Sequence, residues 1–279
     1  MKGGAMNSNR QIIISLAPVG FWKGKGLTPP LSPKAVAEGV RRCEDEGAAL
    51  VHLHVRDEEG NATTDMGVFN DTAEGIHEKS SLILQGSTGG VEGLTPQERC
   101  VVLQNSNVEA ASLNMGSTNF FDGVYVNSPQ DIRYWADQMR DRNIVPELEA
   151  FTLTMIPASI KLQHQGVIGS PLRFTVCMGI PGAIPLDVRF LYTAAQLMPP
   201  DAVWGILMHG RTDPRLVATA LSLGASWIRV GFEDSPTDIY GRTATENTHL
   251  VKSLREYIEL LGYSVADVKT ARRILEIGC

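Results

Sequence analysis

Eight short apolar runs, each followed by a longer segment able to form a helix, pace the chain from Gln11 to its C-terminal end. The runs read as strands over Gln11 to Ala17, Ala48 to Arg56, Ser81 to Gly86, Glu109 to Asn114, Ile144 to Ala150, Arg173 to Cys177, Ala202 to Met208 and Ala225 to Phe232, since apolar stretches bounded by polar turns are strand signals. Three of the intervening segments open on a hydroxyl residue followed at once by proline, at Ser32-Pro33, Thr95-Pro96 and Ser128-Pro129. There the hydroxyl caps the free amides of a first helical turn, and proline sacrifices no hydrogen bond. The first such helix is expected to stop at Gly47, and a last one to run from Val265 to Glu276. Strand-then-helix repeated eight times predicts an α/β fold, a parallel (β/α)8 TIM barrel with its active site at the C-terminal ends of the strands. A doubly wound open sheet would want a GxGxxG turn after an early strand, and none follows one here. With no linker or composition shift, the chain reads as one barrel domain over 10–279 with an extra C-terminal helix, after a flexible leader over 1–9 that is a frayed tail or a cloning scar.

Charge removes several partner classes. Lys and Arg number 25 against 31 Asp and Glu, a net charge of -6, with no basic stripe, which argues against nucleic acid and anionic membranes. No apolar run approaches the length of a membrane span, and the N-terminus lacks an export signal. Cys43, Cys100, Cys177 and Cys279 are widely separated and form no CxxC pair. They read as free thiols in a reducing compartment, so the expected location is cytoplasmic.

The chemistry concentrates on three strands. In Ala49-Leu50-Val51-His52-Leu53-His54-Val55-Arg56-Asp57 side chains alternate, so Ala49, Val51, Leu53 and Val55 face the helices while Leu50, His52, His54 and Arg56 face the barrel interior. Two imidazoles at i and i+2 in a barrel interior need partners, and together they are able to chelate one divalent metal. The plain alternative is two core histidines bonded to backbone or water. On the last strand Arg229, Gly231 and Glu233 point inward. Glu233, at the lip, is placed to complete a two-histidine, one-carboxylate set that leaves positions open for substrate. Here the plain alternative is an Arg229–Glu233 salt bridge, with Asp234 capping a turn. Glu147 and Glu149 also face inward, where they repel unless a metal, a proton or an arginine offsets them.

At the rim, Gln85-Gly86-Ser87-Thr88-Gly89-Gly90 offers hydroxyls and backbone amides to an anion without the lysine of a P-loop. The stretch Asn114 to Phe120 and the run His209-Gly210-Arg211 lie at the same rim. His77, His164 and His249 fall in helical segments and read as surface or packing residues.

With these blocks in order, the chain resembles the β-keto acid cleavage enzymes, the family of 3-keto-5-aminohexanoate cleavage enzyme. The likeness rests on Ala17-Pro18-Val19-Gly20, the HLHVRD run, Gln85 to Gly90, Leu113 to Phe120, Pro146 to Glu149, Gly210-Arg211 and Arg229 to Asp234. It implies a barrel holding Zn2+, or another divalent metal, on His52, His54 and Glu233, and a retro-Claisen exchange. In that reaction a β-keto acid and acetyl-CoA, the co-substrate, give acetoacetate and a new acyl-CoA. It further implies Asp234 as the general base at C2, Arg229 as the residue that orients Asp234 and keeps it ionised, and Ser87 as an active-site hydroxyl. Thr88 and Gly89 would hold the substrate carboxylate, with Ser117, Asn119 and Glu147 on further pocket positions, and the assembly would be a homotetramer.

Two departures bear on the substrate. Where the relative acting on an amino-bearing acid has a glutamate for the ammonium, this chain has Trp22 or a neighbour, and bulky Phe151-Thr152-Leu153-Thr154 and Leu207-Met208-His209 stand where small residues are common. These favour a neutral or apolar acyl group. Competing readings are another metal-dependent barrel lyase, aldolase or hydrolase, and a non-catalytic ligand-binding barrel. Hydrolases of the amidohydrolase type place HxH on the first strand and add histidines on the fifth and sixth, which this chain lacks. A mere binder has no need of a base.

Overall fold

The computed structural model describes residues 10–20, 30–89 and 93–278. In chain order its elements are β1 (Gln11–Leu16), α1 (Pro33–Asp45), β2 (Ala48–Leu53), α2 (Met66–Lys79), β3 (Ile83–Gly86), α3 (Pro96–Arg99), β4 (Ala110–Asn114), β5 (Thr118–Phe120), β6 (Gly123–Tyr125), α4 (Pro129–Arg140), β7 (Val145–Ala150), α5 (Met155–His164), β8 (Arg173–Met178), α6 (Val188–Leu197), β9 (Val203–Met208), α7 (Pro214–Ser222), β10 (Trp227–Val230), α8 (Asn247–Leu260), β11 (Ser264–Val265) and α9 (Val268–Leu275). The parallel strands β1, β2, β3, β4, β7, β8, β9 and β10 are neighbours in that order, and β10 closes on β1 with Ile13 opposite Trp227 and Leu16 opposite Val230. The result is the eight-stranded barrel expected from the alternation of elements. Among the described residues no helix is long and apolar enough to cross a membrane.

The hydroxyl-proline starts behave as capping chemistry requires. Ser32 accepts from the Ala35 amide at 3.3 Å, and Thr95 and Ser128 form reciprocal capping boxes with Glu98 and Asp131. The helix after Thr95 is a single turn, continued as a 3-10 turn over Val101–Gln104, and it turns Arg99 inward. Outward-facing strand residues such as Ile12, Val51 and Leu53 meet helix residues such as Val36, Val40 and Phe69 in one continuous apolar core.

Three of the differences from the expected boundaries have a visible cause. β2 ends at Leu53, because the chain then leaves the ladder and Arg56 bridges Ala62 across a local turn. β10 ends at Val230, one residue before Gly231 at φ +148. The last helix starts after Asp267, whose carboxylate accepts from the Thr270 amide at 2.7 Å. Val265 is therefore not in it but in β11, which extends the sheet beside the start of β1. The β5–β6 hairpin was not anticipated; it crosses from the end of β4 and is pinned by a Phe121 amide to Pro181 carbonyl bond of 3.1 Å.

Inside the barrel Trp227 fills space that β9 leaves at Gly205. A Cβ there would sit 2.2 Å from the indole ring, and the indole N–H donates to Thr175 Oγ1 at 2.9 Å. Gly205→Ala must therefore displace a rigid ring at the centre of the fold. We expect it to cost about 3 kcal/mol and to lower Tm by about 8 °C, as calorimetry would register; an unchanged Tm would mean that the ring has room to yield.

Candidate active site

β2 delivers the two histidines to the C-terminal end of the barrel. His52 is its last inward-facing residue, 1% exposed, and His54 follows one residue beyond the strand, half-buried. Their rings stand edge to face, 5.1 Å apart. Both Nε2 atoms face Glu233 Oε1, at 3.8 Å from His52 and 3.5 Å from His54. One ligand atom from each of the three residues lies within 4.8 Å of the other two.

A buried relay orients His52. Trp227 donates to Thr175 at 2.9 Å, Thr175 Oγ1 to Glu147 Oε1 at 2.6 Å, and Gln85 Nε2 to Glu147 Oε2 at 2.7 Å. Gln85 Oε1 must then accept, and His52 Nδ1–H donates to it at 2.6 Å. This fixes the tautomer whose Nε2 lone pair faces Glu233. Burial, with Arg229 nearby, pushes His52 down to about 3 despite the opposing pull of Glu233. The ring is neutral at physiological pH, the form a metal binds.

Arg229, 3% exposed, is the single guanidinium among three carboxylates. It donates to both oxygens of Asp234 at 2.8 Å, to Glu233 Oε1 at 2.7 Å and to Glu149 Oε1 at 3.2 Å. Glycine is required at 231 for this convergence: at φ +148 a Cβ would lie 2.0 Å from the Ala17 carbonyl oxygen. The turn that follows, with the Asp234 and Ser235 amides both donating to the Gly231 carbonyl, swings Asp234 back into the barrel. Asp234 is thus 4% exposed and held against Arg229.

These residues fit a divalent cation. Glu233 Oε2 is buried with no hydrogen-bond partner, although Oε1 is held by Arg229, so the salt bridge and a ligand role coexist. Three carboxylates around Arg229, with the buried Arg56 also in electrostatic reach of Glu233, still leave a surplus of negative charge that a proton or a cation must offset. For Glu233 burial pushes the carboxyl up, but Arg229 and the two imidazoles outweigh it and hold it below its ordinary range. Burial pushes Glu149 up to about 8 and Asp234 up to about 6, in each case against Arg229.

The remaining predicted residues separate by environment. Ser87 is buried at the end of β3, and its Oγ accepts from the Gly89 amide at 3.0 Å. Thr88 does not offer its donors to the mouth: its hydroxyl donates to the Ser112 carbonyl at 2.6 Å and its amide to the Ser112 hydroxyl at 3.3 Å. Glu147 sits below the mouth in the His52 relay, its oxygens taken by Gln85 and Thr175. Ser117 accepts from the Asn127 amide at 2.8 Å, and Asn119 is exposed on the hairpin. Trp22 and the leader lie outside the described residues. On β9 alternation puts Leu207 on the inner face with Gly205, while Met208 turns outward and its sulfur accepts from the Asp213 amide at 3.5 Å. His77, His164 and His249 are exposed.

Two residues emerge that the sequence expectation left without a role. Asn114 ends β4 opposite Glu149, buried, with both its amide oxygen and its amide nitrogen unpartnered. Gln85 is the link from Glu147 to His52. The available signal for each was a polar amide on the inward parity of a barrel strand.

The chain is similar to known proteins over nearly its whole length. The family described as beta-keto acid cleavage enzyme matches residues 11–277. The chain is 33% identical to a 3-keto-5-aminohexanoate cleavage enzyme of Fusobacterium nucleatum over 274 residues, 96% of this chain and 98% of that one. It is 34% identical to a 3-oxoadipate:acetyl-CoA acetyltransferase of Cupriavidus necator over 269 residues, 94% of each. Among solved structures, apo ObcA superposes with a TM-score of 0.77 at 22% identity, over 90% of this chain and 66% of that one, a likeness of fold alone.

Proposed function

Since the chain belongs to the beta-keto acid cleavage enzyme family, we propose that it exchanges acyl groups between a β-keto acid and acetyl-CoA, using a divalent metal, zinc first among them. The bond between C2 and the keto carbon of the acid breaks, and C2 takes the acetyl group to become acetoacetate. The released acyl group leaves on the CoA sulfur, so atoms balance without an oxidant or reductant. The observation that carries this is the pairing of His52, His54 and the unpartnered Glu233 Oε2 with Asp234 on Arg229, all at the C-terminal end of one barrel.

His52 and His54 through Nε2, with Glu233, would hold the metal. When bound it supplies Lewis acidity toward the keto oxygen. The rest falls to the protein. Asp234, poised near neutrality by burial, takes the C2 proton. Arg229 positions that carboxylate through two hydrogen bonds. The Ser87 hydroxyl, held by the Gly89 amide at the end of β3, takes the substrate carboxylate, and the unpartnered amide of Asn114 is left to bond the bound acid.

Beside this loop the rings of Phe120, Tyr125 and Phe151 pack against one another at 5.2 to 5.9 Å. These rings offer a neutral or apolar acyl chain a large apolar surface, which suits the preference we propose. Mass spectrometry of acetoacetate and new acyl-CoA, after incubation of metal-loaded protein with acetyl-CoA and a panel of β-keto acids, tests both points. We expect chelator-sensitive product, with alkyl acids turned over at least about tenfold faster than their 5-amino counterparts. Product that survives full metal removal would overturn the metal's role, and equal turnover of the amino acids would overturn the preference. A homotetramer in a cytoplasmic setting completes the proposal, the former checked by light scattering.

A further inference from the structure

Arg99 is a buried cation whose partners are all neutral. It is 9% exposed, on the single turn α3 behind the loop that follows β3. Its Nε donates to the Thr88 carbonyl at 3.0 Å and Nη1 to the Val126 carbonyl at 2.8 Å. Nη2 donates to the Tyr125 hydroxyl at 3.1 Å and to Asn127 Oδ1 at 2.6 Å. The guanidinium also stacks over Trp135, 4.2 Å from the ring centroid. Among the described residues no carboxylate pairs with it, whereas the equally buried Arg229 has three. Burying a guanidinium is costly without a counter-charge, so an anion missing from the protein itself is the natural complement.

The bonds of Arg99 lead to where that anion would sit. The Thr88 carbonyl and the Gly89 N–H belong to one trans peptide and point in opposite directions. With the carbonyl turned to Arg99, the Gly89 N–H points to the far side and donates to Ser87 Oγ at 3.0 Å. Ser87, accepting there, keeps its own proton to donate. The second arm is parallel: Tyr125 accepts from Arg99, which leaves its O–H as a donor, and its oxygen lies 3.1 Å from where a Cβ on Gly89 would be, as does Ser87 Oγ. Hydrogen bonds in series polarise one another, so the charge of Arg99 strengthens both donors.

We propose that Arg99 is the positive charge against which the substrate carboxylate binds, a positioning residue acting from behind the loop through the Thr88–Gly89 peptide and the Tyr125 phenol. This rests on the Ser87–Gly89 loop being the carboxylate site. It assigns recognition of the acid to a cation that does not touch it, and it explains how a loop without lysine holds an anion.

The test compares acetoacetate with acetoacetamide, its uncharged isostere, by calorimetric titration of the metal-loaded protein. The wild type is expected to prefer the acid, and Arg99→Gln to reduce that preference about 10- to 100-fold with little change in the affinity for the amide. Asn127→Ala loosens the same cage without removing the charge, and should weaken both ligands alike. If Arg99→Gln does not fold, Arg99→Lys carries the test: the retained charge should preserve a preference for the acid over the amide, although a lysine makes fewer of the bonds of the guanidinium. Loss of both ligands in equal proportion in Arg99→Gln, or loss of the preference in a folded Arg99→Lys, overturns the role of Arg99. A wild type indifferent to the ligand's charge would instead overturn the carboxylate site, and this proposal with it.

Discussion

Glu233→Gln is expected to leave the barrel folded, to lower bound divalent metal from about one per chain to near none, and to cut turnover at least about 1000-fold. Glutamine keeps the oxygen that accepts from Arg229, so the ion pair at 2.7 Å becomes a hydrogen bond and the turn after β10 retains its anchor. What changes is the buried, unpartnered Oε2. It becomes an NH2 group, a donor with no lone pair to offer a metal, and the negative charge that would balance a cation is lost. Gln85→Leu should act more gently. It leaves all three ligands in place but removes the acceptor of His52 Nδ1, and the loss of such an orienting bond costs about 10- to 100-fold in metal affinity. Metal analysis after dialysis, paired with titration of the metal back into apoprotein, reads both variants. Full metal content in Glu233→Gln would remove Glu233 from the ligand set.

What could be read from the sequence was whatever obeys a local period. The alternation around His52 and His54 holds because β2 is a regular strand up to Leu53, and the parity of Glu147 and Glu149 holds for the same reason on β7. Strand order followed from repetition of one unit. The features that escaped depend on contacts far apart in the chain. The relay from Glu147 through Gln85 to His52 joins three strands, and nothing local in any of them marks it. The hairpin after β4 turns at Phe121 with φ +52 and is fixed by contact with Pro181. The dipeptide Asp122-Gly123 was the available turn signal, whereas Phe121, a non-glycine residue at positive φ, is held by its surroundings. Thr88 was read as a substrate donor because it is polar and at the rim. Its hydroxyl is instead consumed by Ser112 on the neighbouring strand. Arg99 carries no local mark of burial either, and it turns inward because α3 is a single turn.

Asp234→Asn is expected to keep the metal and the fold and to lower kcat about 1000-fold, within the range that a positioned general base contributes. Stability should change little. Arg229 still donates to Glu233 at 2.7 Å and Glu149 at 3.2 Å, and the substitution relieves one of three carboxylates crowded around a single guanidinium. The readout specific to a base is exchange of the C2 protons of the β-keto acid with deuterated water, measured by NMR in the absence of acetyl-CoA. The wild type should accelerate that exchange above the spontaneous rate, and Asp234→Asn should not. Glu149 is the only other carboxylate on Arg229 that is not a metal-ligand candidate, and burial pushes it up to about 8. Asp234 is one of the charges that raise it, so Asp234→Asn lets Glu149 ionise more readily, and Glu149→Gln in the same background controls for its standing in as base. Exchange at the wild-type rate in Asp234→Asn would overturn the assignment of Asp234 as the base.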